Sequence, residues 1–196
     1  MNIAVFASGN GTDMQAIIDG CKKGLIDGKV VVVISNRKDA NCLNRANKEE
    51  IPNYYLDENN YESEKEFSKE VIKVLKKHNT DIVFLAGYLK KIPTEIINAY
   101  DYNIYNIHPA LLPKFGGKGM YGINVHKAVL EAGEKETGVT IHKVNKEYDK
   151  GEIIGQTKVP VLENDTPEVL AKRVLEKEHE FLVEILSKVA KDFKKV

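Results

Sequence analysis

The chain has little that would hold another macromolecule by charge alone. Its 29 Lys and Arg residues balance 29 Asp and Glu residues over 196 positions. No net field therefore draws it to nucleic acid or to an anionic membrane, and neither partner is expected. Cysteine is scarce: Cys21 and Cys42 are the only two. Without CxxC spacing they make a poor disulfide framework and a poor zinc site, so they read as reduced, semi-buried thiols and no metal is expected. No apolar run approaches the roughly 20 residues needed to cross a bilayer. The start of the chain has no basic region followed by an apolar stretch and a small-residue cleavage site. Met1 runs straight into a strand-like segment, and a cytoplasmic protein is expected. Linkers, repeats and low-complexity stretches are missing too, so residues 1–196 are taken as a single domain, a length that suits one α/β core.

What the sequence does contain is an alternation of strand-like and helix-like segments. Ile3 to Ala7 is a short apolar run that ends in Ser8-Gly9-Asn10-Gly11, a buried strand entering a tight turn. Met14, Ile17, Ile18 and Cys21 follow at helical spacing. Val30 to Ile34 is a second strand, residues 38 to 49 are helical, and Asn53 to Asp57 is a third strand. Glu62 to Lys77 places Phe67, Val71, Val74 and Leu75 on one helix face. Asp81 to Ala86 and Asn103 to His108 are further strands. A helix near residues 123 to 132 precedes Thr137 to Val144 and Ile153 to Val159, both strand-like. Thr166 caps a last helix, with Pro167 at its first position, that runs to about residue 190. This pattern predicts an α/β fold with a mostly parallel sheet and helices on both faces. The last two strands lack a helix between them, so the sheet becomes mixed at that end.

Three places carry candidate chemistry. In the first loop, Gly9 and Gly11 let the backbone turn sharply and let an anion approach. The helix beginning at Thr12 offers free N–H groups and a partial positive charge. That is a phosphate cradle, or equally a tight turn capped by Thr12. The spacing is neither GxGxxG nor GxxxxGK[ST]. In the second place, Asn106 and His108 are two apart on a strand and so share a face, with Pro109 keeping His108 extended. Polar groups at the carboxyl end of such a strand lie where open α/β sheets bind ligands. An amide and an imidazole there polarise a carbonyl and stabilise an oxyanion; the plainer alternative is a satisfied structural histidine. The third place is a pair of carboxylates. Asp149, in a loop, either supports a histidine and raises its pKa or is a solvated turn residue. Glu178 interrupts the apolar stripe Ala171, Val174, Leu175, Phe181, Leu182, Ile185 and Val189. A carboxylate there needs a partner, either an amine ligand or a structural Lys or Arg.

Taken together, Ser-Gly-Asn-Gly-Thr (8–12), Leu-Ala-Gly-Tyr (85–88), Asn-Ile-His-Pro-Ala-Leu-Leu-Pro (106–113), Asp-Lys-Gly (149–151) and Glu-His (178–179) resemble the phosphoribosylglycinamide formyltransferases across essentially the whole chain. The resemblance implies a Rossmann-like formyltransferase fold, 10-formyltetrahydrofolate as co-substrate, and formyl transfer to the amine of N1-(5-phospho-D-ribosyl)glycinamide in purine biosynthesis. It implies His108 as general acid/base, Asn106 as holder of the formyl oxygen, and Asp149 as the group that orients His108 and keeps its pKa high. Gly11, Thr12 and Asp13 would bind the phosphoribosyl group, and Glu178 the glycinamide side. Leu89, Lys90, Lys91 and Ile92 would line the folate pocket, and the Leu112-Pro113 bond would be cis. The partners implied are small molecules, with the protein a monomer or homodimer.

The sequence also departs from the family pattern. Asp13 stands where Asn is usual, which predicts a bond to a ribose hydroxyl or a side chain turned away from the phosphate. Glu64 stands where Arg or Lys commonly contacts folate, with Lys65 as a substitute. Residues 115 to 124 (FGGKGMYGIN) are glycine-rich, which predicts a mobile flap. Related readings are a methionyl-tRNA formyltransferase, a formyltetrahydrofolate hydrolase and a sugar-nucleotide formyltransferase; the first two carry extra domains and the third is longer. Unrelated ones are a phosphate-binding module without catalysis and a dinucleotide-dependent oxidoreductase, the latter disfavoured by the loop spacing.

Overall fold

The computed structural model describes residues 1–101 and 103–193. Seven strands form one sheet: β1 Asn2–Phe6, β2 Lys29–Ser35, β3 Asn53–Tyr55, β4 Ile82–Leu85, β5 Ile104–His108, β6 Glu136–Lys143 and β7 Ile153–Pro160. Six helices join them: α1 Thr12–Lys22, α2 Asn41–Lys48, α3 Glu64–Lys77, α4 Thr94–Ala99, α5 Ile123–Glu131 and α6 Pro167–Phe193. The strand order is β3-β2-β1-β4-β5-β6-β7. β1 pairs in parallel with β2 and β4, and β4 with β5. β5–β6 and β6–β7 are antiparallel. The predicted mixing at the C-terminal end is therefore present; the short connection accounts for β6–β7, whereas β5 and β6 are antiparallel although α5 lies between them.

Strand alternation sorts the core into two layers. Ile3 and Val5 of β1, with Ala7 just after it, join Met14, Ile17, Cys42, Leu170, Val174 and Leu182 from α1, α2 and α6. Ala4 and Phe6 point the other way, to Phe67, Val71, Leu75, Ile96 and Ile97 of α3 and α4. α4 escaped the sequence reading. It is only Thr94–Ala99, too short to show a helical period, yet a parallel β4–β5 pair needs a crossover.

One helix start differs from expectation. Thr12 does not cap α1. Gly11 occupies the cap position at φ 76, and no side chain bonds the first turn. A Cβ at Gly11 would lie 2.7 Å from Cys42 Cβ, so packing as well as φ requires glycine there. By contrast, Thr166 Oγ1 accepts from Val169 N at 3.3 Å, as the Thr-Pro start of α6 predicts. The Leu112-Pro113 bond is cis. Among the described residues no helix is long and apolar enough to cross a membrane.

The winding reverses between β1 and β4. After β1 the chain moves outward to β2 and β3, then returns past β1 to β4 and continues to β5. Just past the strands the two segments are joined, Ser8 N donating to Gly87 O at 3.1 Å, and beside that switch point a crevice opens above the ends of β4 and β5, where open α/β sheets take ligands.

Candidate active site

The crevice is a cavity of about 660 Å³, within the usual range for small-molecule sites. Asn106 and His108 from the end of β5, Asp149 from the β6–β7 loop, Leu89 to Ile92 after β4, Asp13 of α1 and Glu178 of α6 all line it. The structure thus brings together most of the residues singled out from sequence. Gly11 and Thr12 are not among its lining residues. Gly11 is buried against Cys42 and Thr12 is half-buried in the first turn of α1. Glu64 and Lys65 begin α3, exposed and outside the cavity.

His108 is 3% exposed. Its Nε2 lies 2.7 Å from the Phe115 carbonyl oxygen. A carbonyl only accepts, so Nε2 carries a proton and donates. Nδ1 faces Asp149 Oδ2 at 3.7 Å. The expectation that Asp149 keeps the His108 pKa high needs correction. Burial pushes the imidazole pKa down, Asp149 and the Phe115 bond push it up, and burial wins. The carboxylate limits the fall.

Asp149 lies close to two histidines. Its Oδ1 lies 3.5 Å from His142 Nε2, and its Oδ2 accepts from Gly117 N at 2.8 Å. Burial would raise its pKa, but the Gly117 bond and the charge of His108 oppose this, and the pKa lies below the usual carboxylate range. Asp149 sits at φ 54, a left-handed conformation that Asp tolerates better than most side chains. The glycine-rich segment 115 to 124 is tied to the site through both of these bonds and covers it with Gly117 to Gly122.

Glu178 is 8% exposed. Burial first, and the Asp13 carboxylate second, push its pKa well above the usual carboxyl range. Among the described residues no Lys or Arg pairs with it, which removes the structural-cation alternative. Asp13 turns into the cavity, its Oδ1 3.4 Å from His179 Nε2. For His179 the sequence signal is its place in the Glu-His motif, one residue after Glu178. His126 is 4% exposed, lines the cavity, and its Nδ1 has no hydrogen-bond partner.

Ser8 fastens the switch point. Its hydroxyl accepts from Leu89 N at 2.9 Å and donates to Asn36 Oδ1 at 2.5 Å. The backbone N–H of Leu89 is therefore already occupied, while Lys90 pairs with Glu58 at 2.8 Å and Lys91 lies 5.9 Å over the Tyr148 ring. The lining mixes apolar Leu85, Ile92 and Val144 with these polar groups. Among the described residues no group of three or more His, Cys, Asp or Glu side chains is arranged to hold a metal ion.

A doubly wound sheet with an amide and an imidazole aimed into its switch-point crevice places the molecule among Rossmann-like α/β enzymes that act on a carbonyl group. The chain belongs to the formyl transferase family, whose family profile matches residues 1–186. It is 38% identical over 179 residues to the phosphoribosylglycinamide formyltransferase of Escherichia coli (strain K12), covering 91% of this chain and 82% of that protein. It is 48% identical over 191 residues to the chloroplastic phosphoribosylglycinamide formyltransferase of Arabidopsis thaliana, covering 97% of this chain. It spans only 65% of that plant protein's length. The crystal structure of glycinamide ribonucleotide transformylase 1 from Symbiobacterium toebii superposes with a TM-score of 0.91 at 40% identity, covering 98% of this chain and 88% of that one.

Proposed function

We propose that the protein transfers the formyl group of 10-formyltetrahydrofolate to the amine of N1-(5-phospho-D-ribosyl)glycinamide, as a single-domain enzyme of purine biosynthesis in the cytoplasm. The observation that carries this reading is one cavity lined by Asn106, His108 and Asp149 and also by Asp13 and Glu178, the last without a Lys or Arg partner among the described residues. A carboxylate without a cation suits an amine that arrives as ammonium.

The folate supplies the formyl carbon; the chain supplies everything that handles charge and protons. Leu89 to Ile92 form the wall on which the pteridine rests. The N–H groups of the first turn of α1, after Gly11 and Thr12, take the phosphate, with Asp13 left for a ribose hydroxyl. Glu178 orients the amine and accepts its proton, which the raised pKa favours. The Asn106 amide and the His108 Nε2–H donate to the formyl oxygen as it gains negative charge. His108 must exchange the Phe115 carbonyl for that oxygen, so the 115–124 segment moves when ligand binds. Charge on the imidazole is then balanced by Asp149 at 3.7 Å. The proton passes from the amine to the folate nitrogen without a covalent enzyme intermediate.

The test is direct. Mixing the protein with both substrates should produce the absorbance change of tetrahydrofolate release, and omitting the ribonucleotide should abolish it. His108→Ala should lower turnover by about 10²- to 10⁴-fold while both substrates still bind. Near-normal turnover in that variant removes the role, and release with water alone points to a hydrolase. Sedimentation decides between monomer and homodimer.

A further inference from the structure

Three imidazoles line the cavity, His108, His126 and His142, and the proposed reaction uses only His108. His142 is 2% exposed and stands directly opposite Asn106 in the β5–β6 pairing. Opposed residues of an antiparallel pair project from the same face. Both ring nitrogens of His142 are engaged. Nδ1 lies 2.8 Å from the Lys143 carbonyl oxygen, which can only accept, so Nδ1 carries the proton. In the neutral ring that leaves Nε2 as an acceptor. Asn106 Nδ2 lies 3.1 Å from it. Asp149 Oδ1 is farther, at 3.5 Å, beyond an ordinary N–H···O bond.

We propose that His142 is a positioning residue for formyl transfer: its neutral Nδ1–H tautomer, locked by the Lys143 carbonyl, holds the Asn106 amide with its NH₂ group toward the ring. This rests on the reading of Asn106 as the oxyanion donor. One amide hydrogen is committed to His142 Nε2, and the second is presented to the formyl oxygen. Asn106 has no such preference by itself, because its amide can turn over about χ2. Turned over, it would offer Oδ1, an acceptor, to an oxygen that is becoming negative.

The backbone is shaped to hold this tautomer. The β6–β7 register shifts between Ile141 and His142, the kind of irregularity that re-aims a side chain. Gly151 packs onto the Lys143 carbonyl so closely that any Cβ there would overlap it. Lys143 N donates to Glu152 O at 2.8 Å on the same turn. The Asp-Lys-Gly turn thus fixes the acceptor for His142 Nδ1 while carrying Asp149 to His108.

The experiment is a double-mutant cycle with an independent spectroscopic arm. His142→Leu should lower kcat by about 10²-fold, in the range of losing one oxyanion donor, with both KM values nearly unchanged. His142→Gln, whose amide oxygen can accept the same N–H, should recover part of that loss. Asn106→Ala and Asn106→Ala/His142→Leu should have the same kcat, because His142 acts only through Asn106. In the parent protein, ¹⁵N NMR of the imidazoles should show His142 protonated at Nδ1 and bare at Nε2. Multiplying kinetic effects, an Nε2-protonated or doubly protonated ring, or failure of Gln to recover activity would each overturn the proposal. The spectroscopic arm decides it even if the Leu variant does not fold. A parental kcat in Asn106→Ala alone would instead remove the oxyanion role on which it rests.

Discussion

Replacing Asp149 with asparagine removes one negative charge and little else. Asn is well tolerated at φ 54, and its side-chain oxygen can still accept from Gly117 N. What disappears is the charge 3.7 Å from His108 Nδ1. Burial already holds the His108 pKa down, and Asp149 is the first of the groups opposing it. Without that charge the imidazolium form is less favourable and the pKa falls further. If transfer needs His108 protonated as the oxyanion forms, rate declines as pH rises through that pKa. The alkaline limb of the kcat profile should then move toward acid. An opposite charge at this range is commonly worth about 1–3 pKa units, and each unit corresponds to about 1.4 kcal/mol. The limb should move by about one unit or more, with kcat near pH 7 falling at least about tenfold. The assay is initial rate against pH at saturating substrates, with a melting curve to show that the variant is folded. A folded variant whose limb stays in place would falsify the electrostatic coupling of the two residues.

Three further outcomes follow from particular contacts. Glu178 has a folded pKa raised by burial and by Asp13, so it contributes stability below the ordinary carboxyl range and loses it as pH rises toward the raised value. Glu178→Gln without ligand should therefore melt above the parent near pH 8, with the gap closing toward about pH 4, while the KM for the amine substrate rises; an equal gap at both pH values refutes the assignment. Ser8→Ala frees Leu89 N from its 2.9 Å bond, worth about 1 kcal/mol, and should raise the folate KM about fivefold more than the ribonucleotide KM; equal changes in the two would count against Ser8 as a strut for the folate wall. Gly11→Ala meets both φ 76 and a 2.7 Å approach to Cys42 Cβ, and should lower stability by about 1–3 kcal/mol in urea titration; an unchanged midpoint would show that the loop relaxes freely.

Much of the site was legible because its residues sit in motifs tied to local geometry. Asn106 and His108 share a face through strand periodicity alone. Glu178 announces itself as a carboxylate in an apolar helical stripe. His142 carried no comparable signal, and His179 only its place beside Glu178. One matters through the residue opposite it on another strand and the other through Asp13, far away in sequence. The direction of the His108 pKa was also misjudged, because sequence shows a possible carboxylate partner but not the depth of burial that outweighs it.

The sequence by itself determined the alternation of strands and helices, the start of α6, the mixed end of the sheet and the family. These follow from periods of two and 3.6, from turn residues and from motif spacing, all of them short-range. Only the tertiary structure decided that β1 lies beside β4, that the first turn of α1, the end of β5 and α6 meet at one cavity, and that Thr12 leaves the capping position to Gly11. Those outcomes depend on long-range packing between layers, where burial and the approach of distant side chains set the energies.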